Sequence, residues 1–182
     1  MRPRQPLPRL WLMTDERLGQ GLLPAIERLP PGSGIVFRHY TLTLRQRRAL
    51  FEKVRMAALA RGHLLLFAGS AKKAQDWGAD GSHGPGRGNG NLRSAPVHDY
   101  RELRAAERDK ADFIFLSPVF PTRSHEHAST LGVAKFAWLA RRTVLPVIAL
   151  GGMNSERGRR LASFGAYGWA GIDAWSVEED AS

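Results

Sequence analysis

Two glycines, Gly151 and Gly152, close the apolar run LPVIALGGM (145–153) and are followed by Asn154 and a helical period. Glycines at such a place let the backbone turn N–H groups outward, and the start of a helix adds a favourable dipole, a combination suited to phosphate. The alternative is a tight turn with no ligand. His98 follows the short run SAPV and precedes Asp99. An imidazole titrates near neutrality and can carry a proton between two atoms of a substrate, or it can cap the helix expected at 99–109 or fill a barrel mouth. Arg38 stands in the run GIVFRH with Tyr40 just behind it, and Thr14, Asp15 and Arg17 stand at the end of RLWLMT. His83, His125 and His127 have the chemistry for zinc, but H-x-H around Glu126 on a charged loop reads first as solvent-facing. With no cysteine in 182 residues, disulfides and thiolate chemistry are excluded.

All these residues fall where a strand gives way to a loop. The stretch ADFIFLSPVFPTRSH, Ala111 to His125, is an apolar run closed by Pro118 and Pro121, as in a strand buried on both faces of a parallel sheet. Strands are predicted at 9–14, 34–39, 63–67, 79–82, 94–97, the opening of 111–125, 146–150 and 166–172. Helices are predicted at 22–29, 43–61, 70–77, 99–109, 131–142 and 155–164. Ser70 and Asn154 serve as N-caps, Gly62 serves as a C-cap, and Pro30, Pro31 and Gly32 stop the first helix. Within 43–61 the inward positions are Leu44, Ala49, Leu50, Val54 and Ala58; within 131–142 they are Phe136, Leu139 and Ala140.

Between residues 84 and 90 four glycines and a proline cannot hold a helix, so the helix after strand four is reduced to a glycine-rich loop. Eight strands with helices between them imply an α/β fold, a (β/α)8 TIM barrel, and 182 residues make it a short one against the usual span of about 200 or more. An open doubly wound sheet is the runner-up. Residues 1–8, with three prolines, read as a disordered leader, 9–175 as a single barrel domain and 176–182 as an acidic tail.

The net charge of +10 raises the question of nucleic acid. Its distribution argues against that partner. Arg45, Arg47, Arg48, Arg55 and Arg61, then Arg101, Arg104 and Arg108, alternate with apolar positions as solvated helix faces do, and no RNA-binding or zinc-finger spacing is present. No apolar run approaches the roughly 20 residues of a membrane span, so the expected setting is the cytoplasm with no membrane partner.

The segments LWLMTDERL, WGADGSH, VHDYRELRAAERDKADFIFLSPVFPT and LPVIALGGMNSERGRRLASFGAYGWAGIDA together resemble the thiamine phosphate synthase family, whose other branch is the thiazole tautomerases. The resemblance spans about Leu10 to Trp175. It implies a TIM barrel of thiamine biosynthesis in which a magnesium-bound pyrimidine diphosphate ionises and the nitrogen of a thiazole phosphate captures the carbocation. A thiazole phosphate is the implied small-molecule partner, and a homodimer is open to the chain.

The resemblance divides the site into two halves. In the diphosphate half, the family's Gln, Arg and Lys of the second strand are here Val36, Arg38 and Tyr40, so Arg38 alone is retained and stands as a catalytic candidate. The Asn-Asp-Arg after strand three is here Ala68, Gly69 and Ser70, and the aspartate beyond the strand-four histidine falls near Gly88. Both expected magnesium carboxylates are thus missing, and Asp15, Asp76 and Asp80 are poor substitutes, so no well-formed metal site and no certain cofactor are expected. The thiazole half is better kept. Thr122, Ser124, Gly151 and Gly152 are its implied substrate- and phosphate-binding residues, with Ser124 and His125 replacing a threonine and a lysine. Asp173 stands in place of a serine, and its charge needs an offsetting cation, for which Arg123 or Arg157 is the candidate. His98 matches the tautomerase branch's proton-moving histidine, although synthases often carry it too. The alternatives to synthase chemistry are therefore metal-free thiazole tautomerisation or a non-catalytic barrel that binds a phosphorylated ligand.

Overall fold

The short β-period runs and the helical runs between them fold into a closed barrel of eight parallel strands, ordered β1 to β8 with β8 returning to pair with β1. The computed structural model describes residues 6–87, 91–122 and 129–175. The strands are β1 (Leu10–Met13), β2 (Gly34–Phe37), β3 (Leu64–Ala68), β4 (Gly81–His83), β5 (Leu92–Val97), β6 (Phe113–Leu116), β7 (Val147–Leu150) and β8 (Gly168–Gly171). The helices described are α1 (Leu22–Arg28), α2 (Leu44–Ala60), α3 (Ala71–Trp77), α4 (Tyr100–Arg108), α5 (Gly132–Ala140) and α6 (Ser155–Ala162). Two 3-10 turns, Glu16–Gly21 and Asp173–Trp175, follow β1 and β8.

Alternation along each strand sorts side chains to the two sides of the wall. Trp11, Met13, Val36, Leu66, Phe113, Phe115 and Ile148 fill the interior, with the Trp11 ring 5.1 Å from Phe113 and 5.4 Å from Phe115. Outside, α1 to α3 cover β1 to β3 through a cluster around Phe37, Phe51 and Phe67. A second cluster joins α4 to α6 with β5 to β8. Among the described residues no helix lies between β4 and β5, in agreement with the glycine-rich sequence; residues 88–90 lie outside the described set. No described helix is long and apolar enough to cross a membrane.

The N-terminal end of the barrel is closed by the segment before β1. Trp11 Nε1 donates to the Pro8 carbonyl at 2.8 Å, and the Tyr167 hydroxyl donates to that of Leu7 at 2.8 Å. Residues 1–5 of the expected leader and 176–182 of the acidic tail lie outside the described residues.

Several element boundaries differ from the sequence reading. Strand β4 lies two residues later at its start, because Asp80 is not inside a strand: its carboxylate accepts a hydrogen bond from Leu65 N at 2.9 Å at the barrel's N-terminal end. In α2 the buried positions are Phe51, Val54 and Ala58, whereas Leu44 and Ala49 face solvent. Arg47 is not on a solvated face. Its guanidinium turns inward over the Phe67 ring, 4.4 Å from the centroid, and donates to the carbonyls of Arg38 and Ala68. The expected caps formed: Ser70 accepts from Lys73 N and Asn154 from Arg157 N.

Candidate active site

The loops at the C-terminal ends of the strands leave a cleft of about 180 Å³. Arg38 after β2, His98 after β5, Thr122 in the loop after β6, Gly151 and Gly152 after β7, and Asp173 after β8 all line it. Residues far apart in sequence and selected for chemistry thus share one cavity. Ser124, with Arg123, His125 and His127, lies outside the described residues.

The floor at β7 is set by close approach. The chain after β6 passes over the glycine pair, with Phe120 N donating to Gly151 O at 3.1 Å. A Cβ on Gly151 would lie 2.8 Å from Pro118 Cα, and one on Gly152 would lie 2.4 Å from Pro121 O; both residues have positive φ, at 97° and 59°. Only glycine fits here. The amides of Gly151, Gly152 and Met153 have no backbone acceptor among the described residues, and α6 starts just beyond them.

His98 lines the same cleft from the end of β5. It is not the helix cap; Asp99 is, with its carboxylate accepting from Glu102 N at 2.8 Å. The Glu102 carboxylate in turn accepts from His98 N at 2.7 Å and lies 2.7 Å from His98 Nδ1. One ring nitrogen is therefore committed to a carboxylate that fixes the ring, which leaves Nε2 to meet a ligand. The His98–Glu102 spacing of one helical turn is the sequence signal that identifies this orienting partner.

Arg38 is held by the end of β1. Its backbone N donates to Thr14 Oγ1 at 3.0 Å, its Nε to Thr14 O at 2.7 Å, and its Nη2 to Asp15 Oδ2 at 2.6 Å. His39, buried and with φ of 45°, shares a 3.0 Å hydrogen bond with the same Thr14 hydroxyl. Burial lowers its pKa, partly offset by Glu16 and Asp15. Burial raises the pKa of Asp15, but hydrogen bonds from Arg17 and the charge of Arg38 outweigh it, so the net shift is downward. These anchors escape sequence reading because each depends on a partner some 24 residues away.

His83 is present but apart. Its ring is buried edge-on to Phe115, with Nδ1 2.9 Å from Ser94 Oγ, and burial together with the Arg38 charge lowers its pKa to about 4. It is neutral at physiological pH.

The carboxylates weighed for magnesium, Asp15, Asp76 and Asp80, are engaged elsewhere. Among the described residues no three of His, Asp and Glu converge. Asp15 spends one oxygen on Arg17 and the other on Arg38. After β3, Gly69 N donates to His83 O and Ser70 caps α3. Asp76 pairs with Lys72 on α3, and Asp80 lies at the far end of the barrel. A hard cation needs several oxygens on one side of a cavity.

Comparison with known proteins accords with this layout. The sequence profile of the thiamine monophosphate synthase/TENI family matches residues 11–175. The chain belongs to that family. A chain of Aquifex aeolicus provisionally named thiamine-phosphate synthase 2 is 34% identical over 179 residues, covering 91% of this chain and 96% of that one. The thiamine-phosphate synthase of Methanocella arvoryzae is 39% identical over 80 residues, 43% of this chain and 38% of its own. Among solved structures, a thiamine phosphate pyrophosphorylase from Pyrococcus furiosus superposes with a TM-score of 0.75 at 23% identity, over 91% of this chain and 86% of that one. An HpcH/HpaI aldolase from Desulfitobacterium hafniense reaches 0.58 at 13% identity, over 90% and 85%. At those identities the two superpositions establish the barrel alone. The thiamine monophosphate synthase/TENI family thus accounts for the resemblance seen in the strand-end motifs, and the thiamine-phosphate synthases within it are transferases of thiamine biosynthesis.

Proposed function

We propose that the chain is an enzyme of thiamine biosynthesis that seats a thiazole phosphate in this cleft and joins its ring nitrogen to an activated pyrimidine. The observation that carries this reading is the convergence of Arg38, His98, Thr122 and the Gly151–Gly152 pair on a single cavity. The phosphate takes the amides after β7 and the N-terminal dipole of α6. Thr122 offers a hydroxyl to the ring. In the transfer, the nitrogen lone pair forms the new C–N bond as the C–O bond to the diphosphate breaks, and the diphosphate departs with that electron pair. Arg38, on the other side of the cleft, is the cation this chain presents to the leaving group. No step is assigned to magnesium.

The His98–Glu102 pair favours a second reading. Here His98 Nε2 removes a proton from one carbon of a thiazole phosphate and returns it at another position of the same conjugated system, an isomerisation that needs neither metal nor second substrate. One experiment separates the two. Purified protein is incubated with thiazole phosphate and pyrimidine diphosphate, and thiamine phosphate is quantified; in parallel, deuterium uptake from D₂O into the tautomerisable thiazole phosphate is followed by NMR. Product formation supports the transfer. Deuterium uptake that falls by about 100-fold or more in His98→Ala supports the isomerisation. Absence of both reactions refutes an enzymatic role.

A further inference from the structure

The carboxylate of Asp173 shares the cleft with the glycine pair. A phosphate seated on those glycines would meet like charge, so the site as built requires a cation that cancels it. Arg157 does not serve: its Nη1 donates to Gly152 O and its guanidinium lies over the Phe120 ring at 4.6 Å, turned toward the β6 and β7 loops. Arg123 lies outside the described residues; among those described, another guanidinium stands beside Asp173. Arg17, carried by the 3-10 turn after β1, places Nη2 3.9 Å from Asp173 Oδ1. Its aim is fixed at the other end, where Nε and the backbone N both donate to Asp15 Oδ1, at 3.0 and 3.1 Å. Asp15 is itself anchored on Arg38. Four charges of alternating sign, Arg38, Asp15, Arg17 and Asp173, therefore run around the rim from β2 through β1 to β8.

We propose that Arg17 is a positioning residue of the phosphate subsite that acts through Asp173, cancelling its charge so that the cleft accepts a phosphorylated ligand in preference to the corresponding alcohol. The proposal rests on the reading that the cleft takes a phosphate. Serine at position 173 would need no such partner, so the dependence on Arg17 exists only while Asp173 is present.

The test is calorimetric titration of the full chain with thiazole phosphate, with inorganic phosphate and with the unphosphorylated thiazole alcohol, thermal unfolding confirming that each variant is folded. Arg17→Gln should weaken both phosphate ligands by about tenfold or more while the alcohol changes by less than about twofold. Arg17→Lys, which keeps the charge, should recover most of the loss. In Arg17→Gln combined with Asp173→Ser, phosphate affinity should return to within about threefold of the parent chain. The proposal is overturned if Arg17→Gln leaves phosphate binding unchanged, weakens alcohol and phosphate equally, or is not relieved by Asp173→Ser. If thiazole phosphate fails to bind the parent chain while inorganic phosphate binds with this dependence on Arg17, the thiazole reading falls and the assignment of Arg17 stands. If inorganic phosphate also fails to bind, the assignment falls too.

Discussion

His83 lies at the end of β4 with its imidazole packed against Phe115 and hydrogen-bonded to Ser94, and burial lowers its pKa from 6.5 to about 4. The unfolded chain accepts a proton there that the folded chain refuses until the pH is much lower. Stability from this group is therefore fully present above about pH 6.5 and is lost as the pH falls toward and through about 4. Over that window the loss is on the order of a few kcal/mol. Denaturant unfolding between pH 7 and 4 should show the decline, and His83→Gln, which does not titrate, should flatten it; an unchanged slope in the variant would assign the decline to other groups. Residue chemistry of this kind was only partly legible. The sequence marks His98, Gly151 and Gly152 by their place at strand ends and Arg38, Thr122 and Asp173 through the family resemblance, and the cleft brings them together. It does not mark Arg17 or Thr14 as partners, because their roles depend on which strands become neighbours when the ring closes. Arg47 looks like one more surface arginine until the aromatic faces of Phe37 and Phe67 are beneath it.

At the level of single elements, local signals did well wherever a side chain serves its own helix. Thr43 shows this. Its hydroxyl accepts from Gln46 N, and the Gln46 side chain accepts from Thr43 N at 3.2 Å, a reciprocal pair that starts α2. Thr43→Ala should cost about 1 kcal/mol of folding stability with little effect on ligand binding, as measured by chemical denaturation beside calorimetry. Local signals failed where a side chain serves another element. Asp80 resembles part of strand β4, yet its carboxylate caps Leu65 of the neighbouring β3. The 3-10 turn Glu16–Gly21 has no apolar period to announce it, although it carries Arg17 to the rim. The apolar period of α2 points Leu44 and Ala49 inward, whereas the face that turns inward is that of Phe51, Val54 and Ala58.

For the molecule as a whole, ring closure is the dominant constraint. Trp11 stands at its centre, fully buried and in contact with Phe113 and Phe115 of the opposite wall. Trp11→Ala should destabilise the chain by about 3–5 kcal/mol, seen as a lower denaturation midpoint with an unchanged dependence on denaturant. Among the described residues the ring of helices around this barrel is nevertheless interrupted between α3 and α4. There the outer side of β5 is covered by Arg93, buried and donating to the carbonyls of Gly84 and Asp109. A guanidinium thus seals a seam that other flanks close with apolar packing. Sequence spliced into that seam would have no described helix to displace, so insertions that leave Arg93 and its two carbonyl acceptors in place should cost the scaffold least.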